Sequence, residues 1–227
     1  MAKKHDTEET STLDALNSNL GSASQKIAEN KKIIFWVVGG IAVVAAFVLS
    51  YLFIYRNPKL NKAFEAYNQV EITAANDSLA APAYQKVAQQ YSGTDAGSLA
   101  ALSAAESYYN LGDWQKALNC LEQFSTSEPV LDANAEVLKG DCYVNLGEKH
   151  YNKALEAFNK AIDKADKNPE IVPRVLLKEA NVYDAQKQYA KALECYQKIK
   201  DEYGTFQLGN GVDIDAYIAR EKARMGK

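Results

Sequence analysis

A short stretch, Trp114-Gln-Lys-Ala-Leu-Asn-Cys-Leu121, decides the fold because its pattern recurs twice in the chain. The other copies are Tyr151-Asn-Lys-Ala-Leu-Glu-Ala-Phe158 and Tyr189-Ala-Lys-Ala-Leu-Glu-Cys-Tyr196. Each copy has an aromatic residue, one variable residue, Lys-Ala-Leu, and a large side chain four positions after the alanine. The alanines of successive copies lie 37 and 38 residues apart. A fixed period in this range indicates stacked units of secondary structure.

Each copy is preceded by a second helical stretch, so every unit is predicted to be a hairpin of two helices. The preceding stretches are 99–110, 135–145 and 175–186. Gly112 and Gly147 fall between the two helices of their units, where a tight turn needs a positive φ. Pro129 and Pro173 lie at junctions between units, where a helix stops or starts. A degenerate first copy ends at Tyr84-Gln-Lys-Val87.

These positions resemble the signature of the tetratricopeptide repeat family over roughly residues 60–205. The second unit carries Ala105, Tyr108, Gly112, Trp114, Ala117, Leu121, Phe124 and Pro129. The third carries Gly140, Tyr143, Gly147, Tyr151, Ala154, Phe158 and Ala161, with two residues inserted before the tyrosine that opens its second helix. The fourth carries Ala180, Tyr183, Tyr189, Ala192 and Tyr196, but it has Lys187 where the family has a turn glycine. The resemblance implies an all-α solenoid of about four helical hairpins.

The composition narrows the classes of function. Apolar residues make up 47% of 227, which is enough for a core, and the net charge of −3 argues against a protein that coats nucleic acid. The two histidines and three cysteines are scattered, so we expect no metal site, and we interpret Cys120, Cys142 and Cys195 as small packing residues. The catalytic motifs Gly-x-Ser-x-Gly and His-Glu-x-x-His are absent, so neither an enzyme nor a cofactor is expected.

Residues 33–55 contain no charged side chain and predict a single transmembrane helix. A helix of this length spans roughly 34 Å, against about 30 Å for the hydrocarbon core of a bilayer. Lysines flank its start, and Trp36, Tyr51 and Tyr55 lie where interfacial aromatic residues belong. A cleaved signal peptide is the alternative, but 32 mostly polar residues precede the segment and no small-residue cleavage site follows it.

Two further properties of this segment bear on its role. Three basic residues lie within about 20 residues of each end, so charge alone does not decide its orientation. Small residues spaced along one side are typical of helices that pack closely in membranes. These residues are Gly39, Ala42, Ala46 and Ser50. They predict a contact with a partner's membrane helix, whereas the alternative is the ordinary alanine content of such segments.

The two ends of the chain complete the predicted organisation. Residues 1–32 form a tail that is partly disordered, with a short amphipathic helix suggested by Leu13, Leu16, Leu20 and Ile27. The repeat domain occupies residues 56–205, and residues 206–227 form a loop and a last helix that Asp213 can cap. We expect this helix to cover the open end of the solenoid with Ile214, Tyr217, Ile218 and Met225.

The resemblance also implies a groove, because the first helices of tetratricopeptide units line a surface that binds a peptide or a partner helix. The corresponding positions are Glu106, Tyr109, Asn110, Asp141, Val144, Asn145, Asn181 and Asp184. Solvated helix faces would show the same polar residues. Asparagine side chains can hydrogen-bond a peptide backbone without selecting its sequence. After residue 56 there are 20 basic and 24 acidic residues, which favours a neutral or basic protein partner.

The layout of tail, single anchor and repeat domain is similar to that of the bacterial YfgM family, ancillary subunits of the SecYEG translocon. The resemblance implies a single-pass inner-membrane protein with a cytoplasmic N-terminus and residues 57–227 in the periplasm. It implies the translocon and a membrane-anchored periplasmic foldase as partners, with a chaperone-like role for newly exported chains. The alternative is a scaffold of cell-envelope assembly, similar to tetratricopeptide proteins of outer-membrane biogenesis. An enzyme or sensor is the least favoured interpretation.

Overall fold

The computed structural model describes residues 31–206 and 213–226, and every regular element in this part of the chain is helical. The chain divides into two compact units, residues 1–58 and residues 59–227. The amphipathic helix expected within the tail, and most of the loop expected at 206–212, lie outside the described residues.

In the first unit, helix α1 spans Lys31–Ser50 and is followed by a π-helical segment, Tyr51–Arg56. The described side chains of α1 are all exposed, and the large ones are mostly apolar, for example Phe35, Trp36 and Phe47, each more than 70% exposed. By length and composition this is the one helix among the described residues that could cross a membrane. The stretch 33–55, expected to span a bilayer, lies entirely within these helical residues.

The repeats begin with helix α2, Asn57–Thr73, and helix α3, Asp77–Gln90. The following helices are α4 Asp95–Asn110, α5 Trp114–Leu121, α6 Pro129–Asn145, α7 Tyr151–Ala165, α8 Ile171–Ala185, α9 Tyr189–Glu202 and α10 Ile214–Arg224. A 3₁₀ turn, Glu148–His150, precedes α7 and contains the two-residue insertion. From α3 onward neighbouring helices pack in chain order, and the first helices α4, α6 and α8 also touch in succession. The hairpins therefore lie side by side.

The first helices start earlier than the sequence patterns indicated, so the predicted starts at 99, 135 and 175 were wrong. Local capping explains two of the early starts. Thr94 precedes α4, and its hydroxyl oxygen accepts a hydrogen bond from the Gly97 amide at 3.1 Å. Pro129 is the first residue of α6, where its missing N–H costs nothing. Pro173 lies in the first turn of α8 rather than between two helices.

The tight turns confirm the expected role of glycine in two units. Gly112 has a φ of 78° and Gly147 a φ of 96°. In the fourth unit Lys187 occupies the same turn with a φ of 59°. The turn geometry is therefore kept where glycine is missing, and a side chain enters the left-handed region that L-residues disfavour.

The recurring alanine and the large residue after it form the core, as predicted. Ala117, Ala154 and Ala192 are completely buried. Leu121, Phe158 and Tyr196, the residues four positions later, are at most 1% exposed. Replacement of any of these large residues by alanine would leave a cavity, a change that typically costs about 2–5 kcal/mol.

Two other residue types of the repeat acquire clear structural roles. The three cysteines are buried free thiols, and burial raises the pKa of Cys120 to about 11 and of Cys142 and Cys195 to about 12. Such thiols are poor nucleophiles, which agrees with their interpretation as packing residues. The lysine of each Lys-Ala-Leu lies over a tyrosine of the preceding helix, with Nζ 5.3 to 5.6 Å from the ring centroid. These pairs are Lys116 with Tyr108, Lys153 with Tyr143, and Lys191 with Tyr183.

Candidate functional site

A cavity of about 270 Å³ opens between the first helices of the third and fourth units. Its wall includes five of the eight residues expected to line a groove: Tyr109, Asp141, Val144, Asn145 and Asn181. These come from α4, α6 and α8, so three successive repeats contribute to one site. The repeat alignment alone therefore brings most of the expected residues together.

The floor of the cavity is apolar and rigid. It includes Phe158, which is fully buried, and Val182, which is 3% exposed. Gly140 lies directly behind the phenylalanine, since a Cβ at that glycine would be 2.2 Å from Phe158 Cε1. The ring is thus held by close packing in the place where it meets the cavity.

The rim of the cavity is polar but self-compensated. Lys178 Nζ donates hydrogen bonds to both carboxylate oxygens of Asp141, at 2.8 and 2.9 Å. Burial raises the pKa of Asp141 above its ordinary value, and the opposing effect of the nearby Lys178 charge does not cancel it. Asn145 Nδ2 donates to the Tyr109 hydroxyl at 3.3 Å and to the Asp141 carbonyl oxygen at 2.8 Å. Two asparagines and one neutral ion pair therefore face an incoming ligand.

Two of the expected groove residues lie outside this cavity, toward the first unit. Asn110 Nδ2 donates to Asp77 Oδ2 of helix α3 at 3.2 Å. Glu106 keeps an exposed surface, yet enough protein surrounds its carboxyl group that burial raises its pKa. Both residues are on α4, so they would contact only a ligand that extends beyond the cavity.

Asp184 is the expected groove residue whose surroundings differ most from those of a free binding group. Its carboxylate pairs with Arg224, and it accepts a hydrogen bond from Arg220 Nη2 at 3.3 Å. Both arginines belong to α10, the last helix. Asp213 caps this helix as predicted, with its side chain accepting from the Asp215 amide at 3.0 Å. In this structure Asp184 therefore holds the end of the solenoid closed.

Sequence reasoning missed four contributors to the cavity. Lys178 aligns with positions one turn before the expected groove column, and its signal was that it shares a helix face with Asn181. Ala185 aligns with Asn110 and Asn145, so the third asparagine of that column is replaced by a small residue. Tyr151 and Val182 also line the cavity, although their repeat positions suggested packing alone.

Two other sets of residues singled out in the sequence have simple surroundings. Gly39, Ala42, Ala46 and Ser50 are all exposed on α1. His150 stacks on Tyr143 with ring centroids 6.2 Å apart. Among the described residues no three metal-ligating side chains come together.

Comparison with known families agrees with this geometry. A family model described as a tetratricopeptide repeat-like domain matches residues 27–133, which include the apolar stretch and the first repeats. A second model, described as a tetratricopeptide repeat, matches residues 174–205. The repeats of this chain are tetratricopeptide-like. No curated protein matches the chain.

Solved structures show the same architecture in another protein. A crystal structure of the MamA protein has a TM-score of 0.56 and 18% sequence identity, and the match covers 74% of this chain and 83% of that chain. A second crystal structure of MamA gives a TM-score of 0.47 at 19% identity, over 66% of this chain and 89% of the other. At this identity the first likeness shows a shared fold. Tetratricopeptide-like repeats are protein-interaction scaffolds in general, and this chain is a scaffold of that type.

Proposed function

We propose that this chain is a non-enzymatic, membrane-anchored interaction protein that binds a segment of a partner polypeptide in the groove of its repeats. The observation that carries the proposal is the cavity between the third and fourth units. It combines an apolar floor with a rim of asparagine amides, and it is built by helices from three repeats. Buried apolar groups supply binding energy and polar groups supply orientation, which is the usual division in a binding site.

The proposed anchor rests on α1, whose large apolar side chains are exposed in the structure. A bilayer would cover this surface, and residues 59–227 would then be held close to the membrane. Tethering raises the effective concentration of the groove for partners in the same membrane. The small residues from Gly39 to Ser50 would allow a partner's helix to pack against the anchor.

The layout supports a more specific role, as an ancillary component of the protein-export translocon. In this role the N-terminus is cytoplasmic, the repeats are periplasmic, and the groove receives newly exported chains or a membrane-anchored foldase. A scaffold of cell-envelope assembly is the alternative, since it would use the same anchor and groove. Protease that digests residues 59–227 from the cytosolic side would contradict this orientation.

Site-directed photocrosslinking in intact membranes tests the proposed groove. A photoreactive phenylalanine at Asn145, on the rim, should trap partner polypeptides, because a bound segment would lie against that side chain. The same residue at Asn119, exposed on α5 away from the cavity, is the matched control. Translocon or foldase subunits trapped at the first position would support the export role, and envelope-assembly proteins would support the alternative. Equal or absent crosslinking at the two positions would overturn the groove as the binding site.

A further inference from the structure

The cavity between the third and fourth units has a size and a chemistry that define its occupant more closely. Its volume of about 270 Å³ lies below the roughly 300–1,000 Å³ of pockets that enclose a drug-sized ligand. The space suits one bulky side chain better than a whole cofactor. Because Phe158 and Val182 are already fixed by the core, the cavity is formed before a ligand arrives.

The charges around the cavity decide which kind of side chain enters. Asp141 and Lys178 satisfy each other through two hydrogen bonds, so neither is left as a partner for an incoming charge. A charged side chain would have to break this pair or remain unpaired against the apolar floor, and both are unfavourable. An apolar side chain would displace water from Phe158, Val182 and Val144 without disturbing the pair.

The rim decides what that side chain is attached to. Asn145 on α6 and Asn181 on α8 place amide groups on two sides of the opening. A primary amide both donates and accepts hydrogen bonds, which matches the N–H and C=O groups of a peptide backbone. Asn181 Oδ1 is steadied by the Tyr196 hydroxyl, which donates to it at 3.4 Å. The rim is therefore suited to an uncharged stretch of main chain.

We propose that the cavity is an anchor site for a single large aliphatic or aromatic side chain of a polypeptide partner, presented between uncharged neighbours. This inference rests on the proposed function, which it makes more specific. Selectivity resides in one inserted side chain, and the asparagines hold the flanking main chain without selecting sequence. Such a site would bind many unrelated polypeptides that expose an apolar residue.

Selection from a phage-displayed library of random dodecapeptides tests the anchor, with the full chain immobilised in detergent micelles as the target. We expect enriched peptides to share one Leu, Ile, Phe, Trp or Met at a fixed position, with uncharged residues beside it. Replacement of that residue by alanine in a synthetic peptide should weaken binding by about tenfold or more, measured by fluorescence anisotropy.

Two variants locate the anchor and one controls for a charge on the same helix. Val144→Glu places a carboxylate in the cavity and should abolish the selection. Ala185→Phe fills the opening from α8 and should also abolish it, while circular dichroism shows that the chain remains folded. Val130→Glu adds the same charge on α6 at an exposed position outside the cavity, and it should leave the selection intact.

The outcomes separate this inference from the proposed function. Enriched peptides that lack an apolar anchor, or that bind Val144→Glu and Ala185→Phe as well as the unaltered chain, would overturn the anchor site. The absence of any enriched peptide would overturn it too. The crosslinking at Asn145 reports on partner binding in membranes independently, so it can succeed while the anchor site fails.

Discussion

The third and fourth repeats occupy equivalent positions in the solenoid but are held together by different means. In the third, Gly140 gives room to the ring of Phe158, and the contact is entirely apolar. In the fourth, Tyr196 replaces the phenylalanine, and its hydroxyl accepts a hydrogen bond from Arg220 of helix α10 at 3.3 Å. The inner repeat is closed by close packing. The last repeat uses an aromatic ring with a polar end, which links the core to the helix that covers it.

The buried glutamates of the two repeats differ in the same way. Glu136 in the third repeat is 6% exposed and pairs with Lys139 Nζ at 2.6 Å. Glu179 in the fourth is 5% exposed, and its Oε1 has no hydrogen-bond partner among the described residues. Burial raises the pKa of Glu179 to about 7, and the Lys198 charge lowers it only in part. A buried carboxyl group is thus compensated in one repeat and left to hold a proton in the next.

The largest expected effect is a pH dependence of stability that originates at Glu179. Its folded-state pKa of about 7 lies above its ordinary value of 4.5, so the folded chain binds the proton more tightly than the unfolded chain does. The contribution of this group to stability is therefore fullest below about pH 4.5 and is lost as the pH rises through 7. The loss is on the order of 3 kcal/mol. Urea unfolding of the full chain in detergent micelles, followed by circular dichroism, measures it.

The variant Glu179→Gln isolates this contribution because it keeps the shape of the side chain and removes the titration. Its stability should be nearly constant where that of the unaltered chain falls, so the difference between them grows from pH 4.5 to pH 8. Glu194→Gln, an exposed change on α9, is the matched control and should leave the pH profile unchanged. A profile that is identical in the Glu179→Gln chain would show that this carboxyl group titrates normally.

The next largest effect should come from Gly140→Ala in the third repeat. The added Cβ would lie 2.2 Å from a ring that is fully buried, so the ring or the helix must move. Overpacking of this kind costs about 1–3 kcal/mol, more than the gain in helix propensity from glycine to alanine. The double change Gly140→Ala with Phe158→Leu should recover part of the loss, because the smaller side chain withdraws from the added methyl. If Gly140→Ala unfolds at the same urea concentration as the unaltered chain, close packing does not hold this repeat.

These differences show which features could be predicted from the sequence. The hairpins, the turn glycines and the buried alanines follow from a period that three units share, so several residues report on each position. The ion pair of Lys178 with Asp141 and the arginines that engage Asp184 could not be predicted that way. Each depends on a side chain that occurs in one unit alone, and a repeat alignment carries no information about such residues.

The candidate site illustrates the same limit. Five groove positions were found because they align between units, whereas Ala185 was missed because it breaks the asparagine column. Its small size helps to leave the cavity open. A departure from the repeat is therefore as informative about a binding site as agreement with it, but its consequence is clear only when the neighbouring helices are in place.

The smallest expected effect tests the turn of the fourth repeat, where Lys187 has a φ of 59°. The left-handed conformation costs an L-residue roughly 1–2 kcal/mol, and glycine avoids this cost. Glycine also adds freedom to the unfolded chain, which offsets about 0.4–1 kcal/mol of the gain. Lys187→Gly should therefore stabilise the chain by about 0.5–1 kcal/mol in urea unfolding.

The equivalent turn of the third repeat provides the matched control for this change. Gly147 has a φ of 96° and a ψ of −178°, a conformation that is essentially restricted to glycine. Gly147→Ala should lower stability, whereas Gln188→Gly, next to Lys187 but at a φ of −88°, should gain nothing. If Lys187→Gly lowers stability as well, contacts of the lysine side chain outweigh the strain of its backbone. The fourth turn would then differ from the third by selection for that side chain, and the missing glycine would be an adaptation of the last repeat.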